Sequence, residues 1–131
     1  MSESIVPHIS PMTRFVFQHH FERGERPRSE LLAGLERWRR QLAEVKRTRE
    51  FFDAQLAERL LRAAGCLLEE LGRANLSAHQ RDAISAAILY LVDDDDGEPD
   101  FESLIGLDDD AEVMQAVARF VGLDEVAGFF D

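Results

Sequence analysis

The most regular apolar pattern in the chain is SELLAGLERWRRQLAEV, residues 29–45. Its large apolar residues recur at spacings of four, three, four and three positions, which is the period of one face of an α-helix. They are Leu31, Leu35, Trp38, Leu42 and Val45. The stretch therefore predicts an amphipathic helix that is capped by Ser29 and packs one face against a core.

The same periodicity continues after an interruption. Arg49 stands where the next apolar residue is due, and the stripe resumes with Phe52, Leu56, Leu60, Ala63, Leu67 and Leu71. A single helix from Glu30 to Leu71 would be roughly 63 Å long, which exceeds a compact domain of this size. We therefore expect a break between Lys46 and Arg49 and two antiparallel helices, the second capped by Thr48 and ended by Gly72.

The flanking segments also predict helices. Ser10 and Pro11 have the form of a helix start, and Gly24 with Pro27 supplies the stop after apolar surface from Phe15, Val16, Phe17 and Phe21. Ser77 and Gln80 form a capping-box pattern before an apolar helix, expected to be the buried centre, that carries Ile84, Ala87, Ile88 and Leu91. A further helix contains Val113, Met114, Val117, Phe120 and Val121, and Gly122 with Leu123 resembles its C-terminal cap.

These segments together predict an all-α fold. It is a compact bundle of five or six helices with an acidic loop between the last two long helices, and a short final helix begins at Asp124. Residues 1–10 are expected to form a flexible arm and residues 11–131 a single domain. No stretch shows the two-residue alternation of a half-buried strand.

Composition indicates the compartment. The longest apolar run without a charge, Ala83 to Val92, is about half the roughly 20 residues that a spanning helix needs. The opening residues have no secretory-signal pattern, and the lone Cys66 cannot form an internal disulfide or a cysteine-based zinc site. We expect a cytoplasmic protein that does not associate with membranes and whose single thiol is buried and inert.

Charge is unevenly distributed along the chain. Residues 1–81 hold 14 Lys/Arg against 11 Asp/Glu, a net +3, whereas residues 82–131 hold one Arg against 15 Asp/Glu, a net −14; the two sums give the total of −11. This balance argues against nucleic-acid binding, because a polyanion requires clustered cations. A protein partner, preferably basic, is the better expectation, and a homo-oligomer stays open.

The acidic loop, Asp93 to Glu112, is the main candidate site. The stretch YLVDDDDGEPDFESLIGLDDDAEV, from Tyr90 to Val113, holds 11 acidic residues and no basic one. An EF-hand does not fit, because placing Gly97 at loop position 6 puts Val92 at position 1 and Ser103 at position 12. The sequence predicts no cofactor, with weak Mg²⁺ or Ca²⁺ association as the alternative to a solvated or internally paired acidic turn.

This stretch resembles the YkvA-like family, small bacterial-type domains of unknown function. The matching positions are Tyr90, Asp96, Pro99, Asp100, Gly106, Asp109 and Asp110, within roughly residues 83–121. The resemblance implies a helix, an acidic turn and a second helix that the aspartate pair opens. Members usually have apolar residues where this chain has Asp95, Gly97, Glu98 and Glu102, so the membrane association suspected for the family is not expected here.

The matched residues also have a structural interpretation. Asp100, Asp109 and Asp110 could cap or charge a helix N-terminus, where backbone N–H groups and the macrodipole favour anions. Gly106 would permit a left-handed backbone conformation at the turn, and Tyr90 and Pro99 complete the structural set. Asp96, Asp100, Asp109 and Asp110 are the partner-binding or metal candidates.

No catalytic residue is identified. His19 and His20 are adjacent and cannot form the i, i+4 pair that chelates a metal, and no Ser–His–Asp set, glycine-rich phosphate loop or paired-cysteine motif is present. The sequence therefore favours a non-catalytic interaction or regulatory module that presents the acidic loop. The alternative is a divalent-cation-dependent protein with an aspartate cluster.

The chain contains one basic patch in addition to the acidic loop. It consists of Arg37, Arg39, Arg40, Lys46, Arg47 and Arg49 around the expected turn between the second and third helices. Local i, i+4 pairs such as Glu36 with Arg40 would make much of it a solvated helix face. The charge split motivates the hypothesis that the patch contacts the acidic loop, within one chain or between two.

Overall fold

The computed structural model describes residues 11–48, 54–73, 75–92 and 104–130. These residues form six α-helices and no strand. The helices are α1 (Pro11–Glu22), α2 (Arg28–Thr48), α3 (Ala54–Glu70), α4 (Ala78–Val92), α5 (Leu104–Phe120) and α6 (Asp124–Ala127), followed by a 3₁₀ turn, Gly128–Phe130. The predicted all-α fold is confirmed, and the expected arm, residues 1–10, lies outside the described residues.

Helix α4 is the centre of the bundle, as predicted. It contacts α1, α2, α3 and α5, and eight of its residues are buried. They are Ala83, Ile84, Ser85, Ala86, Ala87, Ile88, Leu91 and Val92. A helix with buried residues in every direction has no face to leave in water, so its neighbours must enclose it.

The two amphipathic stripes face this core. In α2 the buried residues include Leu31, Leu35, Trp38 and Leu42, and α3 buries Leu60, Ala63 and Leu67. The helices are separate and contact each other, and Lys46 near the end of α2 pairs with Glu58 of α3 at 2.5 Å. The expected pair of helices is thus confirmed, but α2 remains helical through Thr48, past Lys46 where the break was expected to begin, and Arg49 and Phe52 lie outside the described residues.

Two predicted caps are wrong. Helix α2 begins at Arg28, and the Pro27 carbonyl accepts hydrogen bonds from the backbone N–H groups of Glu30 and Leu31, so Ser29 lies inside the first turn. Proline fits at position 27, just before the first residue of α2, because its ring already holds φ close to the helical value. Thr48 is the last residue of α2 and cannot be the cap of α3.

Other termini follow their sequence signals. The Ser77 hydroxyl accepts from the Gln80 N–H at 3.1 Å, and the Gln80 side chain accepts from the Ser77 N–H at 2.9 Å, which completes the capping box. Gly122 has a φ of 83°, and the N–H of Leu123 donates to the Ala118 carbonyl at 2.8 Å, as in a Schellman motif. Val126 of α6 is then buried against the core.

Helix α1 begins and ends where predicted but does not bury all its apolar residues. Phe17 and Phe21 belong to the core, whereas Phe15 is 80% exposed. Gly24, with a φ of 81°, ends the helix, as predicted from its position before Pro27.

The close approach of α2 to α4 was not predicted. A Cβ atom at Gly34 would lie 2.9 Å from Val92 Cγ2, which is closer than carbon atoms normally approach. Glycine at this position therefore allows the second turn of α2 to contact the last turn of α4.

Gly34→Ala should lower the free energy of unfolding by about 1 kcal/mol. Overpacking costs about 1–3 kcal/mol and exceeds the gain of about 1 kcal/mol that alanine has over glycine in a helix. Urea denaturation followed by circular dichroism measures this. The matched control is Gly65→Ala in α3, where a Cβ would meet nothing within 4 Å, and it should be stabilising.

In a Val92→Ala background the obstructing methyl groups are absent, so Gly34→Ala should then become stabilising. If Gly34→Ala stabilised the otherwise unchanged chain as much as Gly65→Ala does, the close contact would be disproved.

Candidate interaction site

The structure describes only part of the predicted acidic site. Asp96, Pro99 and Asp100 lie outside the described residues, whereas Tyr90 lies in the last turn of α4 and packs partly buried against the core. Tyr90 is therefore near the end of its helix, as the sequence predicts. The predicted bounds of the acidic loop, Asp93 to Glu112, are wrong at the C-terminal side, because residues 104–112 belong to α5, while residues 93–103 are not described.

The predicted role of the aspartate pair at a helix start is wrong. Helix α5 begins at Leu104, so Asp109 and Asp110 lie beyond its first turn, and Gly106 is helical rather than at a turn. The physical reason is visible in the sequence. Leu104, Leu107, Ala111 and Met114 follow helical spacing, and the first two of them extend this spacing upstream of the aspartates.

Asp110 belongs to the interior of the protein. Its side chain is 1% exposed, and it stands three, four and seven positions before Val113, Met114 and Val117, all of which are fully buried. These spacings place Asp110 on the core-facing side of α5. A folded protein partner cannot reach this carboxylate in this arrangement, so any partner must contact other residues of the acidic segment.

The residues that flank the undescribed segment differ in their burial. Val92, 8% exposed, is packed against Gly34 of α2, whereas the first residue of α5 that the structure shows to be buried is Asp110, six positions after Leu104. We use the name acidic segment for residues 93–103, which carry seven carboxylates and no cation. The acidic segment therefore directly follows a buried residue on its N-terminal side only.

The basic patch predicted from the sequence is only partly free to bind anions. Arg39 pairs with Glu36 at 2.7 Å and Arg47 with Glu44 at 2.6 Å, as i, i+3 pairs on the exposed side of α2. Within the described part of the chain no carboxylate lies within 4 Å of the guanidinium groups of Arg37 or Arg40. Arg37 and Arg40 are therefore the cations of the predicted basic patch that have no carboxylate partner among the described residues.

A second polar cluster, which the sequence did not reveal, joins the α1–α2 connection to α4. Arg81 binds the carboxylate of Glu25 at 2.9 Å and donates to the Leu71 carbonyl at 2.9 Å. The backbone N–H of Arg26 donates to the buried Ser85 hydroxyl at 3.0 Å. The hydrogen bond that Arg81 donates to the Glu25 carboxylate raises the pKa of Arg81. The cluster has a structural role because its polar groups bind each other.

The histidines do not form a metal site in the described residues. His19 is exposed and His20 is 4% exposed, so the adjacent rings lie in different environments, as predicted. His79 stacks on Phe21 with ring centroids 6.2 Å apart. Among residues 11–48, 54–73, 75–92 and 104–130, no three His, Cys, Asp or Glu side chains are grouped to hold a metal ion.

The environment of Cys66 disfavours a nucleophile. The side chain is half-buried against the core, and burial, followed by the nearby Glu69 carboxylate, raises the pKa of its thiol. The thiolate, which is the reactive form, is therefore scarce at neutral pH. Cys66 is thus half-buried rather than buried as expected, and its raised pKa agrees with the expectation of an inert thiol.

At pH 7.5, iodoacetamide should alkylate Cys66 several-fold more slowly in the folded chain than in the chain unfolded in urea. The difference between the alkylation rates of the folded and unfolded chains should become smaller as the pH rises, because the thiol of the folded chain then ionises. Mass spectrometry of the single cysteine measures both rates. Faster alkylation of the folded chain would identify an activated thiol instead.

None of the described helices has the length and apolar character needed to cross a lipid bilayer. Comparison of the chain with protein-family models, with curated proteins and with solved structures gives no match.

Proposed function

We propose that the chain is a non-catalytic interaction or regulatory module that presents its acidic segment to a basic protein partner. The observation that carries this proposal is the concentration of seven carboxylates and no cation in residues 93–103, directly after Val92 at the buried end of α4. Such a density of like charge favours a partner that brings several cations at once.

The charge distribution favours a basic partner. The net −14 of residues 82–131 creates a negative field that attracts cations and repels nucleic-acid phosphates. Complementary charge speeds the encounter of two proteins and selects among partners, even where it adds little affinity. The resemblance to the YkvA-like family remains part of this proposal, and the order of α4, acidic segment and α5 is compatible with it.

A lysine-rich helical peptide serves as the probe. The chain should bind this peptide at low salt. A variant with four substitutions should bind it about tenfold or more weakly, because four of the seven carboxylates of the acidic segment are neutralised. The substitutions are Asp94→Asn, Asp95→Asn, Asp96→Asn and Asp100→Asn. Fluorescence anisotropy of the labelled peptide measures the dissociation constants.

The matched control neutralises four exposed carboxylates elsewhere, Glu22, Glu58, Glu69 and Glu125, to glutamine. It changes the net charge equally and should weaken binding by about twofold at most. Equal losses in the two variants would mean that only total charge matters, and the proposal would be abandoned.

The alternative is a divalent-cation-dependent protein with Asp96 and Asp100 among its ligands. Calorimetric titration with Mg²⁺, Mn²⁺ and Ca²⁺ should show only weak, non-stoichiometric binding, because Asp110 is buried and the EF-hand spacing fails. Tight, stoichiometric binding that an Asp96→Ala/Asp100→Ala variant loses would replace the interaction module with the metal-dependent alternative.

A further inference from the structure

The segment that follows α5 is a short element of its own. Helix α6 has four residues, and the 3₁₀ turn Gly128–Phe130 follows it directly. We use the name strap for residues 124–130. The strap starts after a completed helix end, because Gly122 has a φ of 83° and the N–H of Leu123 donates to the Ala118 carbonyl. Helix α5 therefore keeps its own C-terminal cap whether or not the strap is in place.

The strap is held by a small number of contacts within the described part of the chain. Of its residues, all of them described, only Val126 and Ala127 are buried. The Ala127 carbonyl accepts a hydrogen bond from Gln115 Nε2 of α5 at 3.0 Å. The guanidinium carbon of Arg62 on α3 lies 4.8 Å from the centroid of the Phe129 ring. An element with so few buried apolar contacts opens locally more readily than the whole fold.

The strap lies over the face of α3 that carries the single cysteine. Arg62 and Cys66 are four positions apart in α3 and therefore share one face of the helix. This face is turned towards the strap, because Arg62 contacts Phe129 and the Glu125 carboxylate acts on the Cys66 thiol. Burial is the main cause of the raised pKa of this thiol, and the carboxylates of Glu69 and Glu125 raise it further. The strap therefore brings a negative charge to Cys66 and lies where it limits access to the thiol.

We propose that the strap opens as a unit while the helical bundle stays folded, and that this opening controls the reactivity of Cys66. The enclosure of α4 by α1, α2, α3 and α5 does not require the strap, which packs on α3 and α5. In the open form the thiol gains contact with water and loses the neighbouring Glu125 carboxylate, so a larger fraction of it ionises. This coupling between the strap and the thiol involves neither the acidic segment nor its proposed partner.

The test is alkylation of Cys66 by iodoacetamide in the folded full chain at neutral pH, followed by mass spectrometry. Phe129→Ala removes the ring beneath Arg62 and should accelerate alkylation about threefold, because a cation–π contact that holds the strap closed is lost. Phe129 carries no charge, so its replacement does not act directly on the pKa of the thiol. Gln115→Ala, which removes the hydrogen bond to the Ala127 carbonyl from the α5 side, should accelerate alkylation in the same direction.

The matched control is Ile88→Val, which removes one methylene from a fully buried side chain of α4, away from the strap. It should lower the global stability measured by urea denaturation at least as much as Phe129→Ala does, and it should leave the alkylation rate unchanged. Faster alkylation of Ile88→Val would assign the reaction to global unfolding and overturn the proposal. So would unchanged rates in both Phe129→Ala and Gln115→Ala, because the thiol would then react without release of the strap.

A measurement on the unchanged chain tests the size of the opening. Below the unfolding transition, the alkylation rate should rise only slightly with urea, because release of the strap exposes little surface. The slope for global unfolding, measured by circular dichroism on the same chain, is the reference. An alkylation rate that rises with this global slope would overturn the proposal.

Discussion

Enclosure of α4 is the constraint on which the rest of the structure depends. Its side chains are buried in every direction, so α1, α2, α3 and α5 must all pack around it. Alanines at 83, 86 and 87 present little volume, and Gly34 removes the side chain where α2 comes closest. The place where the acidic segment leaves the core therefore follows from core packing rather than from the charges of the segment itself.

The two ends of α4 are held by different interactions. At its start, Arg81 and Ser85 bind the α1–α2 connection through polar contacts, and Arg81 also reaches the end of α3. At its end, Val92 is held against Gly34 by close apolar packing. Because both ends are fixed, α4 gives the acidic segment a starting point with a defined position relative to the arginines of α2. This is what connects the fold to the proposed recognition surface.

Sequence periodicity predicted the helices of this fold because burial of one helical face leaves a direct record in the spacing of apolar residues. It predicted caps less well, since Ser29 and the Pro27 carbonyl compete for the same helix start. The error at Asp109 and Asp110 came from treating aspartates as surface residues, although the spacing from Asp110 to Met114 already indicated a core-facing position. Contacts such as Glu25 with Arg81, 56 positions apart, depend on how helices pack together, which periodicity does not report.

Local pairing reduces the number of cations that the mildly basic first part of the chain leaves available. Arg39, Arg47 and Lys46 each have a carboxylate partner within α2 or on α3, whereas the acidic segment has no cation in its own sequence. Its charge must therefore be balanced by solvent ions, by a partner or by cations elsewhere in the chain. Each exposed ion pair is weak and sensitive to salt, so a single cation contributes little. A basic partner that forms several such pairs at once gains far more than the same cations do separately.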